Sequence, residues 1–249
     1  MFRNRQLSTL YDSVPGLITT LRYAVYFAPV ESSALWRAAC RWLGRDARTG
    51  AHLKQPAVDG WSAPEIERLT ASPRLYGFHA TLKPPFHLAE GYTVQELTRA
   101  AKRLAARTRA FVLPPLELGS LDGFLALQAR RANASLSALS DACVTELDHF
   151  RAAPSADELA QRRGADLSAR QEQLLAQFGY PYVLDQFRFH MTLTERLSPA
   201  QSKRLRPWLT DYLADALAPP VRCDDLCLFV QQRRDDTFVL QQRFALDIR

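Results

Sequence analysis

Tyr76-Gly77-Phe78-His79-Ala80-Thr81-Leu82 and Phe187-Arg188-Phe189-His190-Met191-Thr192-Leu193 are two copies of one pattern, an aromatic residue followed by x-Phe-His-x-Thr-Leu. Side chains alternate between the faces of a strand. His79 and Thr81 therefore share one face, and Phe78, Ala80 and Leu82 take the other. The second copy repeats this, with His190 and Thr192 on the polar side and Phe189, Met191 and Leu193 turned towards a core. A single His-x-Thr reads as an ordinary half-buried strand segment. Duplication with matching flanks is what marks these two out.

Working outward, Arg22-Tyr23-Ala24-Val25-Tyr26-Phe27 reads as a strand closed by Pro29. Ser32 or Ser33 caps a helix through Leu43, with Gly44 where a left-handed residue is wanted. A short helix runs from Ser62-Ala63-Pro64-Glu65 to about Thr70, and a strand from Leu75 to Leu82 is ended by Pro84-Pro85. Thr93 and Glu96 form a capping box for a helix to about Arg107. Short strands follow at Leu116 to Leu118 and Phe124 to Gln128, then helices at Ser135 to Arg151 and Ser168 to Phe178, the latter stopped by Gly179 and Pro181. Gln186 to Thr194 is strand-like again, and Ser198-Pro199 opens another helix. Leu226 to Gln231 and Phe238 to Leu246, joined by Arg233-Arg234-Asp235-Asp236, suggest a hairpin. The class is α+β with mainly antiparallel sheet.

With 249 residues, 47% of them hydrophobic, the chain can bury a sizeable core, and no apolar run approaches the length of a membrane span. The formal charge of +6 suits phosphate-bearing partners, although the basic residues are dispersed as on any solvated surface. Cys40, Cys143, Cys223 and Cys227 lack the spacing of a redox or zinc knuckle and read as free buried thiols. Arg3 and Arg5 precede no continuous apolar stretch, so a secretory signal is not expected and the cytoplasm is the expected compartment.

Paired imidazoles and hydroxyls suit phosphodiester chemistry. One group must take a proton from the attacking oxygen and another must give one to the leaving oxygen, and two histidines titrating near neutrality can divide those roles. Thr81 and Thr192 can donate to phosphoryl oxygens as charge builds. Strand parity adds Lys83 beside Thr81, and Arg188 and Thr194 beside His190 and Thr192, as candidate phosphate clamps. Two histidines fall short of the three or four ligands of a zinc site, and no cofactor is called for. His52, His87 and His149 lack a comparable setting and read as surface or structural. The chain contains no G-x-x-x-x-G-K-[ST], G-x-G-x-x-G or G-x-S-x-G.

On its two His-x-Thr motifs the sequence resembles the 2H phosphoesterase superfamily. Arg22 to Phe27, Trp42-Leu43-Gly44-Arg45-Asp46, Tyr76 to Phe86, Phe124 to Leu127, Gly179-Tyr180-Pro181-Tyr182-Val183 and Phe187 to Thr194 resemble a branch of it associated with phosphonate metabolism operons. The resemblance implies a bilobal, pseudo-twofold fold, with two mainly antiparallel sheets flanked by helices around a central groove. It also implies metal-independent opening or hydrolysis of a small cyclic phosphodiester, a ribose or nucleotide derivative, by His79 and His190. It covers residues 21–249 as a single domain and leaves residues 1–20 as an N-terminal extension. Arg162-Arg163 reads as a solvent-facing helix end, with closure over the groove as the alternative. A small phosphodiester is the expected partner, and a monomer is favoured over other oligomeric states, which the sequence leaves open. RNA processing at 2′,3′-cyclic ends with 2′-5′ ligation is the second reading, disfavoured by the lack of an evident aromatic and basic RNA-binding module. A non-catalytic phosphate-ligand module is the third.

Overall fold

A computed structural model describes residues 21–163 and 167–248; the proposed extension at residues 1–20 lies outside the described residues. In chain order the elements are β1 (Arg22–Phe27), α1 (Ala34–Leu43), α2 (Ala63–Leu69), α3 (Ala71–Tyr76), β2 (Ala80–Phe86), α4 (Val94–Arg107), β3 (Phe111–Val112), β4 (Leu116–Leu121) and β5 (Phe124–Ala129). They continue with α5 (Ala134–Glu146), α6 (Ala156–Arg163), α7 (Ala169–Phe178), β6 (His190–Arg196), α8 (Pro199–Leu217), β7 (Arg222–Cys223), β8 (Asp225–Gln231) and β9 (Val239–Ala245). Capping boxes start α4 at Thr93/Glu96, α7 at Ser168/Gln171 and α8 at Ser198/Gln201. Gly44 (φ 77°) and Gly179 (φ 70°) end α1 and α7 in the left-handed conformation.

Seven strands form one sheet in the order β4-β5-β6-β2-β1-β8-β9, antiparallel throughout, and β3 pairs with β7 in a small second sheet. The two expected sheets are thus two halves of one, β4-β5-β6 and β2-β1-β8-β9. They meet through a single pairing, Ala80 with Met191. The apolar back of the motif strands carries Phe78, Ala80, Leu82, Met191 and Leu193, all 1% exposed or less. Full burial contributes roughly 1.5–3 kcal/mol for each large member. Trp42 of α1 lies behind the second motif and donates its indole N–H to the Leu193 carbonyl at 2.8 Å.

Four expectations are corrected. Gln186 closes a 3₁₀ turn at Leu184–Gln186, and β6 starts only at His190. Leu75 and Tyr76 end α3 instead of starting a strand, because the Leu75 carbonyl accepts the Phe238 N–H (2.7 Å) and the Tyr76 ring stacks on Phe238. Pro84 and Pro85 lie inside β2. Beyond Ala80 that strand is paired on one side only, and the two prolines sit in a register shift opposite Ala24, where a missing N–H breaks no ladder bond. The helix expected to Arg151 stops at Glu146 and is followed by a 3₁₀ turn at Asp148–Phe150. The short elements α6, β3 and β7 had no periodic signal in the sequence.

Candidate active site

The Ala80–Met191 pairing fixes the geometry of both motifs. Residues opposite one another in an antiparallel ladder share a face, and Ala80 and Met191 both point into the core. Their chain neighbours, His79 just before β2, Thr81 on it, and His190 and Thr192 on β6, therefore all project from the other face. His79 lies across from Thr192, and Thr81 across from His190. The four side chains therefore stand on one face of the sheet around the single Ala80–Met191 pairing.

Each imidazole is held in the same way. His79 Nδ1–H donates to the Gly77 carbonyl at 2.9 Å, and His190 Nδ1–H donates to the Arg188 carbonyl at 2.7 Å. A carbonyl can only accept, so in the neutral ring Nε2 carries the free lone pair. At His79 that nitrogen lies 3.2 Å from the Thr81 hydroxyl, which donates to it.

Their surroundings differ. His79 stacks face to face on Tyr26, with ring centroids 3.7 Å apart, and has Tyr76 and Phe229 at 6.2 and 6.3 Å. This burial, aided by the charge of His190, pulls its pKa down to about 4 against the stabilising Gly77 carbonyl. His190 has Phe124 at 5.8 Å and is lowered by burial as well, while the Arg188 carbonyl and Asp122 favour its charged form.

The proposed clamps fare unequally. Arg188 is exposed beside His190. Lys83 does not share the motif face. Between Val25–Lys83 and Tyr26–Thr81 the register shifts, so Leu82 is an extra residue on β2 and the face alternation is lost. The Lys83 ammonium is buried beneath α5, 3.2 Å from both the Val144 carbonyl and Asp148. Thr194 is misplaced for the same reason: Leu193, Thr194 and Glu195 bulge opposite Leu125. The Thr194 hydroxyl fills the gap by accepting from Leu125 N–H (3.0 Å) and donating to the Glu195 carbonyl (2.8 Å). Lys83→Met is therefore expected to keep turnover within about twofold and stability within about 1.5 kcal/mol, since Asp148 retains both hydrogen bonds from Arg151. A hundredfold loss of kcat/KM in that variant would return Lys83 to the site.

Residues around both histidines escaped the sequence reading. Arg45, 2% exposed, donates to the Arg74 carbonyl (3.0 Å) and the Phe238 carbonyl (2.6 Å), bracing the turn that carries Gly77. Gln128 pairs with His190 across β5–β6 and lies over Gly119, where a Cβ would come within 2.1 Å of its Oε1. A glycine before the first Phe-His and another in β4 were the available signals. Among the described residues no group of three or more His, Cys, Asp or Glu side chains could hold a metal ion. No described helix is long and apolar enough to cross a membrane.

The family described as "Protein of unknown function (DUF1045)" matches residues 81–239. Among curated proteins, the chain is 38% identical over 226 residues to the ribose 1,5-bisphosphate phosphokinase PhnN of Janthinobacterium sp. (strain Marseille), covering 89% of this chain and 50% of that protein. It is 38% identical over 223 residues to the protein of the same name in Laribacter hongkongensis (strain HLHK9), covering 88% and 50%. The chain spans about half the length of these curated relatives. Similar solved structures include a phosphoesterase (17% identity, TM-score 0.44, 91% of this chain and 98% of that one) and E. coli LigT complexed with 3′-AMP (16%, 0.44, 90% and 97%).

Proposed function

This chain belongs to the DUF1045 family, and we propose that it is a metal-independent phosphodiesterase that hydrolyses a small cyclic phosphodiester of a ribose phosphate. The observation that carries this reading is the projection of His79, Thr81, His190 and Thr192 from one face around the Ala80–Met191 pairing. His79 is the base. It is the more strongly depressed of the two, and the charge of His190 helps to keep it neutral. Its Nε2 takes a proton from water as the water oxygen bonds to phosphorus. One ring P–O bond then breaks, and His190 passes its Nε2 proton to the departing sugar oxygen. Thr192 donates to the phosphoryl oxygens as negative charge grows, and Thr81 does so once its hydroxyl has turned from His79 Nε2 and freed that lone pair for the water proton.

The substrate class draws support from the relatives. This chain lacks the phosphate-binding loop G-x-x-x-x-G-K-[ST], so the kinase named in those proteins is assigned to the half the chain does not match. Opening a cyclic phosphate on ribose 5-phosphate would leave a ribose bisphosphate, the kind of compound their name gives as the kinase substrate. The link to phosphonate metabolism rests on the same names.

The test is a panel of cyclic phosphodiesters, including a short RNA ending in a 2′,3′-cyclic phosphate, assayed with chelator on wild type and His190→Ala. Turnover of the small ribose compound in wild type alone is expected. Activity abolished by chelator and restored by zinc would overturn the metal-free mechanism, and preference for the RNA would overturn the substrate class.

The pH profile follows from the two shifts. His79 must be neutral, so kcat/KM falls as pH drops through about 4. His190 must be charged, so kcat/KM also falls as pH rises through a value below the ordinary 6.5. A bell with its maximum on the acid side of neutrality is expected for the free enzyme, and a basic limb above pH 8 would contradict the assignment.

A further inference from the structure

One polar atom beside His79 has no partner. The Tyr26 hydroxyl is buried, on a side chain 0% exposed, and makes no hydrogen bond. Buried polar groups without partners are rare and call for an explanation such as an absent ligand. Tyr26 is the ring on which His79 stacks, so the unmatched oxygen sits on a side chain in direct contact with the motif histidine.

Arg22 approaches the same place. The pairing of β1 with β8 is regular from Arg22–Gln231 to Tyr26–Cys227, so Arg22 and Tyr26 share the face that also bears Phe229 and Gln231. Arg22 Nε donates to Gln231 Oε1 (2.6 Å), and its Cζ lies 5.4 Å from the Phe238 ring centre. Phe238 stacks on Tyr76, which lies 6.2 Å from His79. From the other side comes α6, whose Arg162 donates to the carbonyls of Gly179 and Pro85 and has its Cζ 5.9 Å from the Tyr180 ring. The groups whose charges act on the Tyr26 hydroxyl are Tyr76, Arg22 and Tyr180, and those acting on Arg162 include Glu158, Tyr180 and Arg22. Glu158 is the carboxylate among these neighbours, and the charges of His87, Arg162 and Arg22 act on it. It is taken up by the Ser155 N–H (2.9 Å) and lies 3.8 Å from His87. Arg22, through Phe238 and Tyr76, and Arg162, through Tyr180, thus both border the aromatic group around Tyr26.

We propose that Arg22, Arg162 and the Tyr26 hydroxyl, flanked by Tyr76 and Tyr180, form a subsite for a second phosphate, a phosphomonoester borne by the same sugar as the cyclic diester. The inference rests on the phosphodiesterase reading and adds the residues that select the substrate. Guanidinium and hydroxyl donors suit phosphate oxygens, and a substrate without that group would leave the buried Tyr26 hydroxyl unmatched.

The test compares a ribose cyclic phosphodiester with and without the remote phosphomonoester in wild type, Arg22→Gln, Arg162→Gln and Tyr26→Phe. Wild type should favour the phosphorylated compound by at least about 100-fold in kcat/KM, and each variant should shrink that ratio by about tenfold or more. In parallel, calorimetric titration with ribose 1,5-bisphosphate reads the subsite without turnover. About tenfold weaker binding in Arg22→Gln is expected. Tyr26→Phe gives a sharper separation, because deleting an unpaired buried hydroxyl should leave the free protein's Tm equal or higher while binding weakens. Equal kcat/KM for the two compounds in wild type, or equal affinity for the bisphosphate in wild type and variants, overturns the subsite. Bisphosphate binding that weakens in the variants, with neither diester turned over, would keep the subsite and overturn the hydrolytic reading.

Discussion

His79→Ala and His190→Ala are each expected to lower kcat/KM by about 100- to 10,000-fold, the usual contribution of a positioned proton donor or acceptor. The two losses should differ in kind. His79 is stacked on Tyr26 and holds a neutral Nε2, so without it the attacking water keeps its proton whatever the leaving group. His190 serves the departing oxygen. A phosphodiester with an acidic phenol as leaving group needs little protonation there, so it should recover much of the His190→Ala loss and little of the His79→Ala loss. Equal losses on both esters would separate the catalytic pair from its assigned roles, and a fall of less than tenfold in either variant would remove that histidine from the chemistry.

Gly77→Ala carries the other large effect. Gly77 has φ 80° and ψ 176°, a region almost reserved for glycine, and a Cβ there would lie 2.5 Å from the Ala47 Cβ and 3.3 Å from Arg45 Nη2. Backbone strain of about 1–3 kcal/mol and overpacking of about 1–3 kcal/mol both apply. A combined loss of about 2–5 kcal/mol should lower the Tm by roughly 5–15 °C in a chain of this size. Relief of that strain would move the Gly77 carbonyl away from His79 Nδ1, so activity should fall even at temperatures where the variant is folded. The His79 Nδ1 proton, observed by NMR, reports the displacement directly. Adding Ala47→Gly removes one half of the clash and should return part of the stability. Strictly additive effects in that double-mutant cycle would show that the contact does not matter.

Most of what the sequence made legible is local. Thr93 with Glu96, Ser168 before α7, Ser198-Pro199 before α8, and Gly44 and Gly179 at helix ends mark their boundaries through bonds made within a few residues. The hairpin of β8 and β9 was readable from its apolar runs and charged turn. The pairing of each histidine with its threonine also belongs to this class, because face alternation over three residues needs only a strand.

The same rule failed one step further on. Lys83 and Thr194 follow the motifs at the spacing that should keep them on the polar face, but a bulge after each motif turns them elsewhere. Whether a ladder stays regular depends on the partner strand, and β1 and β5 come from distant parts of the chain. The same dependence admits Pro84 and Pro85 into β2 and draws Leu75 and Tyr76 into a helix held by Phe238.

The sequence by itself determined that the chain carries two imidazole–hydroxyl pairs on amphipathic strands of an α+β protein, because composition, caps and alternation act over short range. Only the tertiary structure decided that the pairs stand on adjacent strands around Ala80 and Met191, and that His79 is the deeper ring, on Tyr26. It also brought Arg22 and Arg162, from distant parts of the chain, close enough for their charges to act on one another. Burial and charge at a point are sums over every element packed there, and no local stretch of sequence contains that sum.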